Sequence, residues 1–414
     1  MQNSMDNNTA TQLDCDILIV GAGMSGCLLA YSLLKFNPKL DVMLVDENPQ
    51  RSEKQNHFVH PGFDARSLAL SAGTCELLAE LGLWDDLQLQ AQPIEDIHIS
   101  DRGYFGALDL HKSNKQQAFG YVAELQDIGR VLNKHLKQHK QLRRLYNSSL
   151  TNIEKHPEHI SCCLDNGQII KAKMCVGADG ANSVTRELLD IPAQTSDYGC
   201  CAVIANVRSS KAHLNKAFER FTEFGPIALL PLSDNRYSLV WSVANEDLVR
   251  ISALTEPEFL AELQLAFGYR AGVFTEAGKR DTYPLKLIKT YKPLAHRGVC
   301  IGNAAHCLHP VMGQGFNLGM RDLYVLASQV SRAESKSQIG SYQMLEQYWQ
   351  LRRADHHNTI ALTDSMVRIF SNSSWPVILG RNTALQAMSC LPDLSTPIIK
   401  QAKGQFNLLN RDAQ

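Results

Sequence analysis

The sequence predicts an α/β protein with a parallel-sheet domain, an inserted sheet of different texture and a helical C-terminal region. Three observations predict it. The apolar run at residues 16–20 breaks at once into Gly21-Ala22-Gly23-Met24-Ser25-Gly26, and a helix-forming stretch follows. A second apolar run breaks the same way at Val176-Gly177-Ala178-Asp179-Gly180. The third break lies in residues 299–322, where Val299-Cys300-Ile301 meets Gly302-Asn303 and Gly313-Gln314-Gly315 opens an apolar helix. Strands that pass into helices through glycine aim backbone N–H groups at something negative or electron-rich. Breaks so far apart in the chain are explained most simply by one elongated ligand that touches them all.

The first break sits between two strands, residues 16–20 and 42–45, and Asp46 closes the second. This is the dinucleotide fingerprint in its full context of strand, G-x-G-x-x-G, helix, strand and acid. Gly21 permits the tight turn, Gly23 lets a pyrophosphate approach the backbone, Gly26 lets helix and strand pack, and Asp46 accepts from a ribose. The fingerprint fixes a Rossmann-like domain without separating FAD from NAD.

The remaining elements follow in order. Residues 62–70 lead into a helix carrying Leu77, Leu78 and Leu81, and Arg66 there is a candidate phosphate ligand or surface ion pair. Strand-like runs occupy 94–110, and 121–139 carries Leu125, Ile128, Leu132 and Leu136 at helical steps. Residues 149–153, 160–164 and 168–171 read as antiparallel strands around the turn Asp165-Asn166-Gly167. Between 198 and 281 the texture changes to strands at 200–207, 218–224, 227–230 and 236–243, with a helix at 256–267 that Pro257 opens. Residues 341–370 and 378–388 read as helices, and the apolar Ile398, Ile399 and Phe406 suit either a cover on the main domain or a partner or membrane surface.

Composition narrows the function classes. The chain has 414 residues, 44% hydrophobic, with a formal net charge of -1, so it carries no basic field to draw in nucleic acid. Eleven cysteines form no C-x-x-C pair and sit mostly in apolar runs, which reads as buried thiols in a reducing compartment. Residues 1–13 are polar, read as a disordered tail and lack a signal peptide's basic start and apolar core. No uninterrupted apolar stretch is long enough to span a bilayer. His306 and His309 lie near each other in sequence but have no evident third ligand, so no metal is expected.

These motifs together resemble the class A flavoprotein aromatic hydroxylases, and within them the hydroxylases of ubiquinone biosynthesis, over residues 14–390. The resemblance rests on the first glycine motif, Pro61-Gly62-Phe63-Asp64 with Arg66, Gly177-Ala178-Asp179-Gly180 with Ser183 and Arg186, Ala217-Phe218-Glu219-Arg220-Phe221-Thr222, and Gly302-Asn303-Ala304-Ala305. It is closest to the members acting on 2-polyprenyl-6-methoxyphenol. It implies FAD as cofactor, NADPH or NADH as co-substrate, and a polyprenylated phenol and O2 as the reacting partners. Gly21, Gly23, Gly26 and Asp46 are implied at the ADP half of FAD, and Arg66 at its phosphates and ribityl chain. Glu124 or Gln126 is implied as a further flavin contact, Asp179 and Gly180 at FAD and nicotinamide, and Gly302, Asn303, Pro310, Gly313, Gly315 and Asn317 on the isoalloxazine side. One departure is Asn303, where the family has aspartate. Its amide oxygen still accepts, roughly half as strongly as a carboxylate, so FAD binding is expected to survive with looser retention.

The resemblance implies an NAD(P)H-dependent monooxygenase that passes an oxygen atom from a C4a-hydroperoxyflavin to the ring, giving 2-polyprenyl-6-methoxy-1,4-benzoquinol. The flavin carries the chemistry, with His306, His309 and Pro310 as substrate-side candidates. Alternatives are hydroxylation at another ring position, a reductase without oxygen insertion, and a non-enzymatic FAD scaffold for quinone-pathway proteins. The expected organisation is an FAD domain at 14–93, 116–190 and 282–345, a substrate domain at 94–115 and 191–281, and a C-terminal helical region at 346–414. The expected setting is a cytoplasmic enzyme peripherally attached to the inner membrane, with other quinone-pathway proteins as expected partners.

Overall fold

The structure, a computed structural model, describes residues 12–49, 66–112 and 117–404. Residues 1–11 and the Pro61–Asp64 motif lie outside it; Gln12 and Leu13, assigned to the tail, instead open the first strand.

That strand, Gln12–Val20, is the centre of the first sheet. It pairs in parallel with Ile169–Gly177 on one side and Val42–Val45 on the other. Gly298–Cys300 and Arg143–Leu145 extend the parallel order outward. The reason for the unbroken apolar run is visible in its packing. Ile17 and Ile19 face a core with helices Met24–Phe36 and Gln314–Ser331, while Leu18 and Val20 face a second core with Leu150, Ile160 and Leu189. A strand covered on both faces has no polar side to present. Each fully buried Ile or Leu here contributes about 1.5–3 kcal/mol.

The other large sheet among the described residues has nine strands. Its order runs from His306–Cys307 through Asp281–Thr290, Ala193–Ser209, Arg236–Ala244, Gly225–Leu232, Lys216–Thr222 and Asp96–Asp101 to Ala107–His111, with Phe274–Ala277 at the side. It is mixed, because Lys216–Thr222 and Asp96–Asp101 run in parallel. Helix Glu256–Phe267 covers one face, started by a Thr255/Glu258 capping box with Pro257 in its first turn. Trp241, Phe218 and Phe267 fill the core beneath it. Phe221 is buried and stacks on Phe370 with centroids 3.8 Å apart, whereas Phe224 is exposed.

Three readings of the sequence change. Residues 120–124 form a strand, not the start of a helix; Gly120 approaches Leu70 so closely that a Cβ would lie 2.2 Å from its carbonyl oxygen, which ties 120–124 to Ser67–Ser71. Asp281–Thr290 is a ten-residue strand that the sequence did not reveal. The antiparallel run at 168–171 and the glycine-terminated run after it are one strand, Ile169–Gly177, which pairs antiparallel to Ile160–Leu164 with its first half.

At the C-terminus, Tyr342–Phe370, Trp375–Cys390 and Thr396–Lys403 are helices. Ile398 and Ile399 pack against a core containing Phe119, Val122 and Val311. The last described helix thus covers the main body at this point, and Phe406 lies outside the described residues.

Candidate active site

The parallel strands converge on one edge. Val20 is level with Val45 and Gly177, and Gly177 with Cys300, so Gly21, Asp46, Ala178-Asp179-Gly180 and Gly302-Asn303 leave the sheet side by side. The carboxyl ends of parallel strands are where such sheets bind ligands. A cavity of about 840 Å³ opens there and continues under the nine-stranded sheet. Gly21, Gly23, Asp46, Arg66, Asp179, Gly180, Gly302, Asn303, Pro310, Gly313, Gly315 and Asn317 all line it.

The glycines divide by role. Gly21 has a φ of +105° and a Cβ there would lie 2.5 Å from the Ala178 carbonyl oxygen, so the turn requires glycine. Gly26 is off the cavity wall; its Cβ would meet the Gly21 carbonyl oxygen, and its place is the helix–strand contact. At Gly23 and Gly180 a Cβ would meet nothing within 4 Å, so these backbones face open cavity. Gly23 is also the N-cap of Met24–Phe36, which puts the positive end of a helix against that space.

The polar side chains are tied to the backbone around them. Asp46 accepts from Ala22 N–H at 2.5 Å and from Asn48 N–H at 2.8 Å. Asp179 accepts from Ser183 Oγ and from the Thr185 N–H and hydroxyl, while Ser183 Oγ, accepting from Arg186 N–H, caps the helix Val184–Leu188. Arg186 donates to the carbonyls of Ala181 and Ala304, each at 3.0 Å, and so stitches the second glycine break to the third. Asn317 accepts from Ser71 N–H and Thr74 Oγ1 and donates to the carbonyls of Ala69 and Gly313. Its amide clamps the turn, where Met312 and Gly313 both hold positive φ. Asn303 is exposed to the cavity, and Arg66 lies over the Tyr283 ring at 4.9 Å.

Besides Gly26, four candidates fall away from the wall. Glu124 lies in a small adjoining cleft with its Oε1 3.2 Å from Arg236, and Gln126 donates to Glu124. His306 and His309 are fully buried and neither lines the cavity. His306 bonds Asp322 at 2.8 Å, and His356 bonds the other Asp322 oxygen at 2.8 Å. These three could present metal-ligand atoms within 4.8 Å of one another, a grouping the sequence did not suggest. Arg352, 2.8 Å from Asp322 Oδ1, already supplies the cation there. The Asp322 carboxyl is held well below its ordinary range: burial opposes that, but His356 and Arg352 outweigh it. His309 touches the Tyr198 ring edge-on at 5.2 Å, and burial pushes its imidazole down to about 4.

The far part of the cavity is apolar, with Ile97, Ile99, Leu110, Leu230 and Val240 on the sheet face. One carboxyl stands among them, Glu219, with burial pushing it up to about 8. Sequence reasoning assigned it no separate role, although a lone acid alternating with Ala217 in an apolar strand is a signal that could have found it.

Comparison with known proteins agrees with this geometry. The family model described as "FAD binding domain" matches residues 14–362. The ubiquinone hydroxylase UbiL of Rhodospirillum rubrum is 33% identical over 395 residues, covering 95% of this chain and 90% of that protein. The 3-demethoxyubiquinol 3-hydroxylase of Escherichia coli is 29% identical and is covered over its full length, with 95% of this chain matched. Among solved structures, the p-nitrophenol 4-monooxygenase PnpA of Pseudomonas putida superposes with a TM-score of 0.75 at 16% identity, over 96% of this chain and 100% of that one.

Proposed function

The chain belongs to the FAD binding domain family and is a homologue of the ubiquinone-biosynthesis hydroxylases, and from that premise we propose that it is an FAD-dependent monooxygenase hydroxylating the ring of a polyprenylated phenol in ubiquinone biosynthesis. Within that class the substrate is 2-polyprenyl-6-methoxyphenol, the product the corresponding 1,4-benzoquinol, and the electron donor NADH or NADPH. One observation carries the reading: the glycine-lined strand ends and an apolar chamber belong to a single cavity.

The residues fit FAD. Gly23 and Gly180 leave open backbone for a pyrophosphate, the helix N-terminus behind Gly23 favours its charge, and Asp46 and Asn303 offer oxygen acceptors to hydroxyls. When bound, the flavin supplies the redox chemistry with O2. The protein's part is to hold and shield. The Asn317 clamp fixes Pro310–Gly313 at the mouth of the chamber, and Ile97, Ile99, Leu230 and Val240 exclude water and accept an apolar ring and tail. Burial of most of a ligand's apolar surface in such a cavity is the usual source of affinity.

The test is product identification with the FAD-loaded protein and a set of ring-substituted polyprenylphenols, each with NADH and with NADPH. The expected result is substrate-stimulated oxidation of one donor and a product with one added hydroxyl on 2-polyprenyl-6-methoxyphenol. A hydroxyl appearing only at another position, on another phenol, moves the assignment to a sister reaction. A yellow protein whose donor oxidation no phenol stimulates refutes the enzyme reading.

A further inference from the structure

Glu219 is the one acidic side chain among the described residues of the apolar chamber wall. It sits in strand Lys216–Thr222, level with Ile99 on one neighbouring strand and Ala228 on the other. Ile97, Ile99, Ala217, Ala228 and Leu230 surround it on the cavity face. The residue is 8% exposed, and its Oε1 is buried with no hydrogen-bond partner. The backbone N–H of Met312, in the left-handed turn after Pro310, is directed at the same carboxyl. A buried polar atom without a partner is costly, about 1–3 kcal/mol, and native proteins keep few of them. Glu219 also lines the chamber, and a ligand there that brings a donor would satisfy its carboxyl group.

Resting on the phenol-hydroxylase reading, we propose that Glu219 is a catalytic residue that binds the ring hydroxyl of an apolar phenol and takes its proton. The phenolic O–H bond breaks and its electron pair stays on oxygen. A new O–H bond forms on the Glu219 carboxylate, leaving a neutral carboxylic acid in the apolar wall. The electron pair spreads to the ring carbons ortho and para to the oxygen, which makes them better nucleophiles. This proton transfer itself uses no oxidant.

Burial makes the acid suited to the task. Lifted to about 8 by loss of hydration, it lies much nearer to a phenol, at about 10, than an ordinary carboxylate at about 4.3 does. The neighbouring groups leave that tuning intact. His309 is on the turn side and is neutral because burial pushes it down to about 4. Asp101, further along the same sheet face, is bound by Arg381 at 2.7 Å and by Asn382. Arg220, adjacent in sequence, alternates onto the opposite face beside Ser100.

The experiment follows binding to the FAD holoprotein by flavin absorbance between pH 6 and 9.5. The probes are 2-methoxy-6-geranylphenol and its methyl ether, which cannot donate a proton. For the wild type, phenol affinity should rise about tenfold per pH unit below 8 and level off above it. The ether should bind at least about tenfold more weakly at pH 9 and show no pH dependence. In Glu219→Gln the phenol should bind without pH dependence, because the amide oxygen accepts a hydrogen bond but takes no proton, with FAD content unchanged, and Glu219→Asp should restore part of the pH dependence. If Glu219→Gln retains the wild-type profile and preference, the assignment is wrong. It is equally wrong if the wild type binds phenol and ether alike, which needs no variant to fold. Failure of the hydroxylase reading looks different: phenol binds with the predicted profile but yields no hydroxylated product.

Discussion

Glu219 and His309 are both buried without a charged partner, and their titrations act on stability with opposite sign. The Glu219 carboxyl is raised from 4.5 to about 8 by burial. The unfolded chain therefore releases this proton first, so the contribution is complete below 4.5 and is lost as pH rises towards 8. His309 is lowered from 6.5 to about 4. The unfolded chain protonates first there, so its contribution is complete above 6.5 and is lost as pH falls towards 4. Glu219→Gln, which cannot ionise, should gain on the wild type by up to roughly 5 kcal/mol between pH 5 and 8.5 in denaturant unfolding. His309→Leu should gain by up to roughly 3 kcal/mol between pH 6.5 and 4. A constant gap between variant and wild type across either window contradicts the corresponding burial. The Glu219 environment left a signal in the sequence, a lone acid in an apolar strand, and the His309 environment left none. His309 was a substrate-side candidate by its place in the glycine-rich stretch, but sequence position does not say which way a ring points. Gly21 and Gly26 were legible because their contacts are with backbone only a few residues or one strand away.

At the scale of elements, the helix Gln314–Ser331 fixes the site and is itself fixed from two sides. Its first turn carries the Asn317 clamp on Ser67–Ser71. Its middle carries Arg321 and Asp322, which join Arg352, Asp355 and His356 of the helix Tyr342–Phe370 in a buried ionic network. Removing one member of a buried charge set leaves the others uncompensated, so Asp322→Ala should cost about 3–5 kcal/mol in unfolding experiments. Asn317→Ala removes four hydrogen bonds. It should cost about 2–4 kcal/mol and weaken FAD retention while leaving the helix content unchanged by circular dichroism. A clamp variant with wild-type stability and stoichiometric FAD would contradict this role. The sequence exposed the helix and the glycine turn before it, since both are local patterns. The ionic network was invisible because its partners come from a second helix. The strand Asp281–Thr290 was hidden by the lysines and threonines that alternate through it. Residues 120–124 were absorbed into the helical period of Leu125, Ile128 and Leu132, which extends backwards past the strand's end.

For the whole molecule, the arrangement is a parallel sheet whose strand ends hold one half of a cavity and a mixed sheet whose apolar face holds the other. Gly23→Val should yield colourless protein, because its side chain would project into the cradle facing the helix N-terminus; stoichiometric FAD in that variant would refute the cradle. No helix among the described residues is long and apolar enough to cross a membrane. We propose that exposed Trp375 and Leu379 on the helix Trp375–Cys390, with Leu391 and Leu394 in the segment just after it, make peripheral contact with a membrane that carries the proposed polyprenyl substrate. Cosedimentation with anionic vesicles should fall for Trp375→Ser with Leu379→Ser, and unchanged sedimentation excludes that surface. The overall architecture was legible because each glycine break is a local signal. The joining of the two half-cavities was not, since it depends on how one sheet faces another. Oxygen transfer to a phenol ring is tested most directly by product mass after turnover of the FAD holoprotein with 2-polyprenyl-6-methoxyphenol, its reduced nicotinamide donor and isotopically labelled dioxygen. One labelled oxygen atom is expected in the ring hydroxyl of the product. Donor consumption with no labelled oxygen in any product would contradict it.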